Sequence, residues 1–501
     1  MLDSAGREVR GAQNPLTSVQ RLFVDSDHRF SLLVIVALCL ATGLVAGAYV
    51  ALLSPLLAVV GTMALIAGLL MLRDIQWGLA AIIGLICLLP FGALPFKFGF
   101  TPTFLDLALI AVYFVWVVRI ATGKSGRFIG TALGLPILVF LLLACASFVA
   151  GLAHAYLDQY VLRHFVEILL SIGLFFVVVN TVTTKAQLRN LMLVILGAGF
   201  AASLVGVFLY FIPSEWSIRL LSALGRVGYP TGSGVLRYVE DSPDLALRAI
   251  STSTDPNVLG GLLILVTTVT AAQLFARKPL LPRYMLGFMV IVDAICLYLT
   301  YSRGSMVGLV AGLGLLAVVR YRKLIPLMTV AGALLLLVPQ AQDYVQHFVE
   351  GFQLRDLATL MRLGEYKDAV LLISRHPWIG VGFVSAPETS LYIGVSMVYL
   401  LIAEEMGLIG LGVFLVIVIL FFRQVWLAWP RVGQEEGLGA ILLGLTAAVT
   451  GILVGGIFDH YFFNLSFPHS VSIFWIFLGL AMVAVRLGTE GRAAVGSVLV
   501  V

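Results

Sequence analysis

Apolar stretches long enough to cross a membrane recur along nearly the whole chain, separated by short polar breaks. A spanning helix needs about 20 mostly apolar residues. By that criterion the sequence predicts an all-α, polytopic integral membrane protein with about 14 transmembrane helices, or 12 to 14 if the shortest stretches do not cross. The predicted spans are Leu32–Val50, Leu53–Leu72, Trp77–Phe91, Phe104–Ala121, Leu133–Ala153, Phe165–Val182, Leu188–Ile212, Val258–Phe275, Met285–Tyr301, Ser305–Val319, Leu324–Val338, Met397–Phe422, Leu438–Phe458 and Val471–Val485.

Lysine and arginine residues are concentrated in alternate breaks, and this pattern orients the chain. Cytoplasmic loops of membrane proteins are enriched in these two residues. With a cytoplasmic N-terminus, most of the 31 Lys and Arg residues fall in cytoplasmic segments, and the short outer loops hold only Lys97, Arg163 and Arg303. We therefore predict that both termini are cytoplasmic and that two long polar segments face the periplasm or the outside.

The second of these long outer segments contains an amphipathic pattern. Tyr366, Ala369, Val370 and Ile373 have the spacing of one helix face. We expect this helix to lie on the outer membrane surface or over the mouth of a cavity. The predicted regions are a cytoplasmic tail (1–31), N-terminal transmembrane helices (32–212), a first long outer loop (213–257), central transmembrane helices (258–338), a second long outer loop (339–396), C-terminal transmembrane helices (397–485) and a cytoplasmic tail (486–501).

Composition excludes several classes of protein. Hydrophobic residues make up 60% of the chain and charged residues only 11%, whereas soluble domains carry about 25% charged residues. The apolar runs are continuous rather than alternating, which excludes a transmembrane β-barrel. The 4 cysteines lie within apolar runs, and no carboxylate–histidine spacing typical of a metal site occurs. We expect no metal, no cofactor and no nucleic-acid partner.

Three arginines near the predicted outer surface are the strongest candidates for ligand binding. Arg303 lies in a short break between two spans, Arg248 precedes the point where the first long loop re-enters the membrane, and Arg362 begins the amphipathic segment. Guanidinium groups bind phosphate oxygens in a bidentate manner. They indicate a site for an anionic, membrane-borne ligand such as a lipid pyrophosphate. The alternative is that they contact outer-leaflet phosphates nonspecifically.

These arginines belong to a series of four short motifs in a set order, of which the first three contain an arginine and the fourth contains Glu405. Arg248 precedes Pro256-Asn257-Val-Leu-Gly260, and Ser302-Arg303-Gly304 joins two spans. Arg362 precedes His376-Pro-Trp-Ile-Gly-Val-Gly382, and Glu405-Met-Gly-Leu-Ile-Gly410 follows on the next span. In these motifs the chain resembles the O-antigen ligase and polymerase superfamily of bacterial envelope glycosyltransferases. Ligases of this family have a His-Asn pair where this chain has Ser396-Met397, and this difference favours a polymerase.

The resemblance implies a metal-independent glycosyltransferase in the bacterial inner membrane, with its active site facing the periplasm. The donor would be a glycan on undecaprenyl pyrophosphate and the acceptor another lipid-linked repeat unit of an O-antigen or exopolysaccharide. Arg303 and Arg248 would stabilise the leaving pyrophosphate, and Arg362 the second phosphate or the glycan. Candidates for the general base are, in order, His376, Asp459, His460 and Glu405. A flippase and a chain-length regulator are possible partners.

Two other functions remain open at this stage. An O-antigen ligase would transfer the glycan to lipid A core instead of a growing chain. A small-anion transporter would line its pathway with the outward arginines and with Asp293 and Glu405. Isolated carboxylates in helix bundles also serve as hydrogen-bonded packing groups, and this interpretation is preferred for Asp293 and Glu167.

Overall fold

The computed structural model describes residues 68–94, 101–123, 127–153, 156–337, 357–383 and 395–496, together with 43–44, 47, 61–62 and 66. The chain divides into two compact units, Met1–Leu69 and Leu70–Val501, and every element named below belongs to the second. The predicted N-terminal tail, most of the spans Leu32–Val50 and Leu53–Leu72, and residues 339–356 and 384–394 of the second outer loop lie outside the described residues.

The described part of the second unit is mainly helical. Its only paired strands form a short antiparallel hairpin, β1 (Arg237–Tyr238) and β2 (Leu247–Arg248). The helices are α1 (Gln76–Leu88), α2 (Phe104–Ala121), α3 (Gly134–Gly151), α4 (Gln159–Thr181), α5 (Lys185–Phe211), α6 (Ser214–Ala223), α7 (Pro256–Leu274), α8 (Arg283–Leu299), α9 (Arg303–Val319), α10 (Leu324–Leu337), α11 (Leu357–Arg375), α12 (Val398–Val432), α13 (Leu438–Gly455) and α14 (Pro468–Gly496).

The prediction of an all-α polytopic membrane protein is confirmed. Among the described residues, 8 helices are long and apolar enough to cross a membrane, namely α2, α3, α4, α5, α7, α12, α13 and α14. The shorter apolar helices α1 and α9 coincide with two further predicted spans. Helix α2 has the predicted bounds because Thr103 caps it: the Thr103 hydroxyl accepts the amide proton of Asp106, whose carboxylate accepts that of Thr103.

Three helices form the centre of the bundle. The most apolar stretch is 89% buried in α7 and α14 and 83% buried in α13, whereas it is 33% buried in α2 and α3. A helix that is apolar on every side is stable only where other helices surround it or lipid contacts it. Helix α7 contacts α8, α9 and α13, and α14 contacts α4, α12 and α13. The ends of α7 and α13 therefore hold the loops that carry the candidate residues.

Glycine contacts bring α9 and α13 unusually close together. A Cβ atom on Gly308 would lie 2.6 Å from the carbonyl oxygen of Gly451, and one on Gly312 would lie 3.0 Å from that of Ala447. Small residues allow membrane helices to approach at backbone distance, where van der Waals contact replaces the missing hydrophobic driving force. This contact fixes the position of Arg303 at the start of α9 relative to the end of α13.

Basic residues at the opposite end of the bundle satisfy helix C-termini. Arg486 donates to the carbonyl oxygens of Val179 and Val182, and Arg320 donates to that of Gly433. The last carbonyl groups of a helix lack partners within it, and a cation there is also favoured by the helix dipole. The arginines that orient the chain in the sequence thus also complete the ends of α4 and α12.

Candidate functional site

Arg248 joins three segments that are far apart in the sequence. Its Nε donates to the carbonyl oxygen of Thr300 at 2.8 Å, and its Nη2 donates to Oδ1 of Asn257 at 2.7 Å. Strand β2 therefore contacts both the break between α8 and α9 and the first turn of α7. The arginine and the Pro-Asn dipeptide of the first motif are partners, and the second motif begins two residues after Thr300.

The backbone is strained both in the loop before α7 and in the break between α8 and α9. Ser251, Thr254 and Tyr301 have positive φ angles of 51°, 56° and 53°. Such conformations are uncommon for residues other than glycine and cluster at functional sites. They accompany abrupt helix starts: Asp255 caps α7 by accepting the amide protons of Asn257 and Val258. Close packing of the two helix starts leaves room only for a hydrogen at Gly260, where a Cβ atom would lie 2.4 Å from the Ser305 hydroxyl.

Asp459 and His460 lie in the loop between α13 and α14. Oδ1 of Asp459 accepts the backbone amide proton of His460 at 2.8 Å and lies 3.7 Å from its Nδ1. The Asp459 side chain is buried, and burial raises the pKa of its carboxyl, while the charges of His460 and Arg362 lower it. Its backbone carbonyl accepts the amide proton of Val398 and so ties the loop to the start of α12.

Arg362 and the first turns of α11 complete this group. The charge of Arg362 acts on Asp459 and on the hydroxyls of Tyr366 and Tyr461. The negative charge of Asp255 acts on Asp459 and Tyr461 in the opposite direction and raises the pKa of Asp459. The ring of Tyr461 packs against Gly261 of α7, where a Cβ atom would lie 2.2 Å from the ring. We use the term cluster for Arg248, Asp255, Arg362, Glu365, Ser396, Asp459 and His460, together with Arg303, which begins α9 three residues after the Thr300 carbonyl that Arg248 contacts.

Helix α11 does not lie apart from the bundle but runs beside α12 in the same direction. The middle of α11 contacts Ser396, just before α12, because Ser396 donates hydrogen bonds to Glu365. Ala369 and Leu372 are buried, but Val370 is 56% exposed. The stripe of α11 that packs on the protein therefore runs through Ala369 and Leu372, and Val370 of the predicted apolar face lies outside that stripe.

His376 and Glu405 lie in a different place from the other candidates. His376 follows the last residue of α11, 14 residues after Arg362, which corresponds to about 21 Å along a helix axis. Glu405 is buried within α12, and its Oε2 has no hydrogen-bond partner among the described residues. The structure thus brings Asp459 and His460 together with Arg362 but places His376 one helix length away.

The segment that follows His376 acts as a clamp on a break in α12. Helix α12 is interrupted at Gly407, with φ 68° and ψ 179°. The amide of Leu408 donates to Pro377, while the amides of Val381 and Gly382 donate to the carbonyls of Glu404 and Glu405, at 2.7, 2.8 and 3.0 Å. The third and fourth motifs are therefore two halves of one backbone contact, which we call the clamp (377–382 with 404–408).

The clamp and the break before α9 lie in a region with a recognisable family pattern. Residues 288–415 match the Wzy_C family model, described as O-antigen ligase. The resemblance to the O-antigen ligase and polymerase superfamily is confirmed by this match. The matched region includes Arg303, Arg362 and the clamp, whereas Arg248 and Asp459 lie outside it. A search of curated proteins finds no match to the chain.

Several members of the cluster were not predicted from the sequence. Glu365 stands three residues after Arg362, on the same helix face, and that spacing was available as a signal. Arg237, which is not a member of the cluster but pairs with Arg248 across the hairpin, had no such signal, since only the pairing of β1 with β2 places it there. Asp255 has the sequence signature of a helix cap, and its second contribution, a charge near Asp459, depends on the fold.

Asp293 and Glu167 are held by hydrogen bonds outside the cluster. Oδ1 of Asp293 accepts a proton from the Ser203 hydroxyl at 2.6 Å between α5 and α8. Glu167 accepts a weak bond from Thr103 and lies 3.7 Å from Arg163, which also contacts Asp106. These arrangements agree with the interpretation of both carboxylates as packing groups. Among the described residues, no three His, Cys, Asp or Glu side chains converge in the manner of a metal site.

Proposed function

We propose that this protein is a glycosyltransferase that joins lipid-linked glycan units, acting as a polysaccharide polymerase. The observation that carries the proposal is the convergence of Arg248, the Arg303 break, Arg362 and Asp459 from four separate parts of the chain. The Wzy_C match supports the general reaction class. Ser396, in place of the histidine expected of ligases, favours polymerisation over transfer to lipid A core.

Each basic group in the cluster has a chemical role in this proposal. The donor is a glycan on undecaprenyl pyrophosphate, and its departure develops negative charge on the pyrophosphate. Fixed guanidinium groups stabilise such charge, and preorganised donors lower the barrier because they need no reorganisation. Arg303 and Arg248 serve the leaving group, and Arg362 serves the second phosphate or the glycan, without a metal ion.

The acceptor hydroxyl needs a base within hydrogen-bond reach. The geometry changes the order of the proposed candidates. Asp459 and His460 belong to the cluster, whereas His376 and Glu405 lie beside the clamp and are proposed to act structurally. We place the reaction on the periplasmic side of the bacterial inner membrane, downstream of a flippase and in the presence of a chain-length regulator.

An assay of the purified protein tests the proposal directly. The substrate is a lipid extract from a host strain in which the gene is deleted, because lipid-linked units accumulate when their polymerase is missing. The reaction contains EDTA and no other acceptor. We expect a ladder of longer lipid-linked glycans, which is lost in Arg303→Ala and retained in Arg322→Ala, a matched change at an exposed arginine.

The outcomes separate the alternatives. If the glycan is transferred only when lipid A core is added, the protein is a ligase and the interpretation of Ser396 is wrong. If EDTA abolishes the ladder and added Mg²⁺ restores it, the proposed metal independence is wrong. If the folded wild-type protein forms neither product, the proposed transferase activity is refuted.

A further inference from the structure

Ser396 has an acidic partner at the position where the related ligases have a histidine. Its hydroxyl donates to Oε2 of Glu365 at 2.6 Å, and its backbone amide donates to the same oxygen at 3.0 Å. Two donors on one oxygen fix the carboxylate in a single orientation. The serine therefore does not simply delete a polar group, since it positions a carboxylate from α11 at this place.

The second oxygen of Glu365 is available for a substrate. Among the described residues, the hydrogen bonds of this side chain all involve Oε2. The residue is half-buried rather than enclosed. Asp459 differs in both respects, because it is only 8% exposed and its Oδ1 already accepts the amide of His460. A general base must present an accessible lone pair to the proton that it removes, and Glu365 meets that condition better.

Glu365 also lies beside the proposed phosphate-binding group. It follows Arg362 by three residues on α11, and the charges of Glu365, Arg362 and Asp459 all act on the hydroxyl of Tyr366. Tyr366 in turn donates to the carbonyl oxygen of Ser396 at 3.4 Å. A base and a phosphate-binding cation at this spacing place an acceptor hydroxyl close to the donor's anomeric carbon.

Resting on the proposed transferase function, we propose that Glu365 is the general base that activates the acceptor hydroxyl, with Ser396 as its positioning residue. Oε1 of Glu365 takes the proton of the acceptor hydroxyl as that oxygen attacks the anomeric carbon. The bond from this carbon to the phosphate oxygen breaks, and its electron pair leaves with the undecaprenyl pyrophosphate. The proton passes from Glu365 to water before the next cycle.

The experiment compares variants in the polymerisation assay with host lipid extract, across a range of pH. Glu365→Gln keeps the size and hydrogen-bonding ability of the side chain but removes its basicity. We expect the rate to fall by about 10²- to 10⁴-fold, the usual contribution of a positioned base. The wild-type rate should rise with pH to a plateau, and the residual rate of Glu365→Gln should lack that rise. Glu240→Gln, at an exposed loop position, is the matched control and should behave as the wild type.

A second measurement separates a chemical role from a structural one. Undecaprenyl pyrophosphate itself is the probe, and its binding to protein in nanodiscs is measured. Binding should be unchanged in Glu365→Gln and weakened in Arg303→Ala. Ser396→Ala removes one of two bonds to the carboxylate and should reduce the rate less than Glu365→Gln does, with the rise with pH preserved.

Three results would overturn the inference. In the first, Glu365→Gln retains the wild-type rate and pH profile. In the second, it loses binding of the probe together with activity, which indicates a structural role. In the third, the wild-type protein makes no polymer, which refutes the proposed function and with it the role of Glu365. In the first two cases the proposed function stands.

Discussion

Replacing Gly407 by alanine tests the clamp, the contact on which the third and fourth motifs depend. At φ 68° and ψ 179° this residue occupies a region that is essentially restricted to glycine. A Cβ atom would also lie 2.2 Å from the carbonyl oxygen of Trp378, which is backbone and cannot rotate away. Alanine therefore forces either a strained conformation or separation of the two segments.

The cost follows from these contacts. The conformation alone costs a residue with a side chain about 1–3 kcal/mol. Separation breaks the bonds from Leu408 to Pro377, from Val381 to Glu404 and from Gly382 to Glu405, each worth about 0.5–1.5 kcal/mol. We expect Gly407→Ala to lower the free energy of unfolding by about 2.5–7.5 kcal/mol if both effects occur.

The assay is unfolding of the purified protein in mixed detergent with increasing SDS, followed by tryptophan fluorescence. Gly412→Ala is the matched control in the same helix, because a Cβ atom there meets no atom within 4 Å. It should be neutral or stabilising, since alanine favours a helix over glycine by about 1 kcal/mol. If the two variants unfold within about 1 kcal/mol of each other, a small fraction of the expected cost, the break at Gly407 does not need glycine and the argument fails.

Three further predictions concern the cluster and the helix packing. Arg248→Lys should lower turnover by roughly 10- to 100-fold, because an ammonium group cannot contact Thr300 and Asn257 together and a bond to a charged donor is worth about 1.5–3 kcal/mol. The control is Arg226→Lys at an exposed position, and an equal loss in both variants would contradict the role of the two Arg248 contacts. Gly308→Ala should destabilise the protein by about 1–3 kcal/mol through overpacking against α13. Gly314→Ala is the control and should not destabilise it, because a Cβ atom at Gly314 faces open space. Equal stabilities of the two variants would contradict close packing between α9 and α13. Asp459→Asn should stabilise the protein at neutral pH, because burial raises the pKa of this carboxyl in the folded state and the wild type therefore loses stability as the pH rises through that pKa. The gain in stability should disappear below about pH 4, near the unfolded pKa. A gain in stability that is independent of pH would contradict an origin in the burial of this carboxyl.

Several features of the fold are local properties of the sequence. A membrane span is recognised from its own apolar residues, because each helix must satisfy its backbone hydrogen bonds internally. The bounds of α2 and the start of α7 also follow from short capping patterns around Thr103 and Asp255. The all-helical membrane class and the identity of the motif residues were therefore accessible without the tertiary structure.

The grouping of the motif residues was decided by long-range packing. Arg248 meets the carbonyl of Thr300, 52 positions later, and Glu365 meets Ser396, 31 positions later. No periodicity encodes such pairs, because they depend on how α7, α9 and α13 pack through their glycines. His376 stands in a motif with Arg362 nearby in the sequence, yet the rise of α11 separates them by about 21 Å. Sequence order identified the residues, whereas helix length and helix contact determined which of them can act on one substrate.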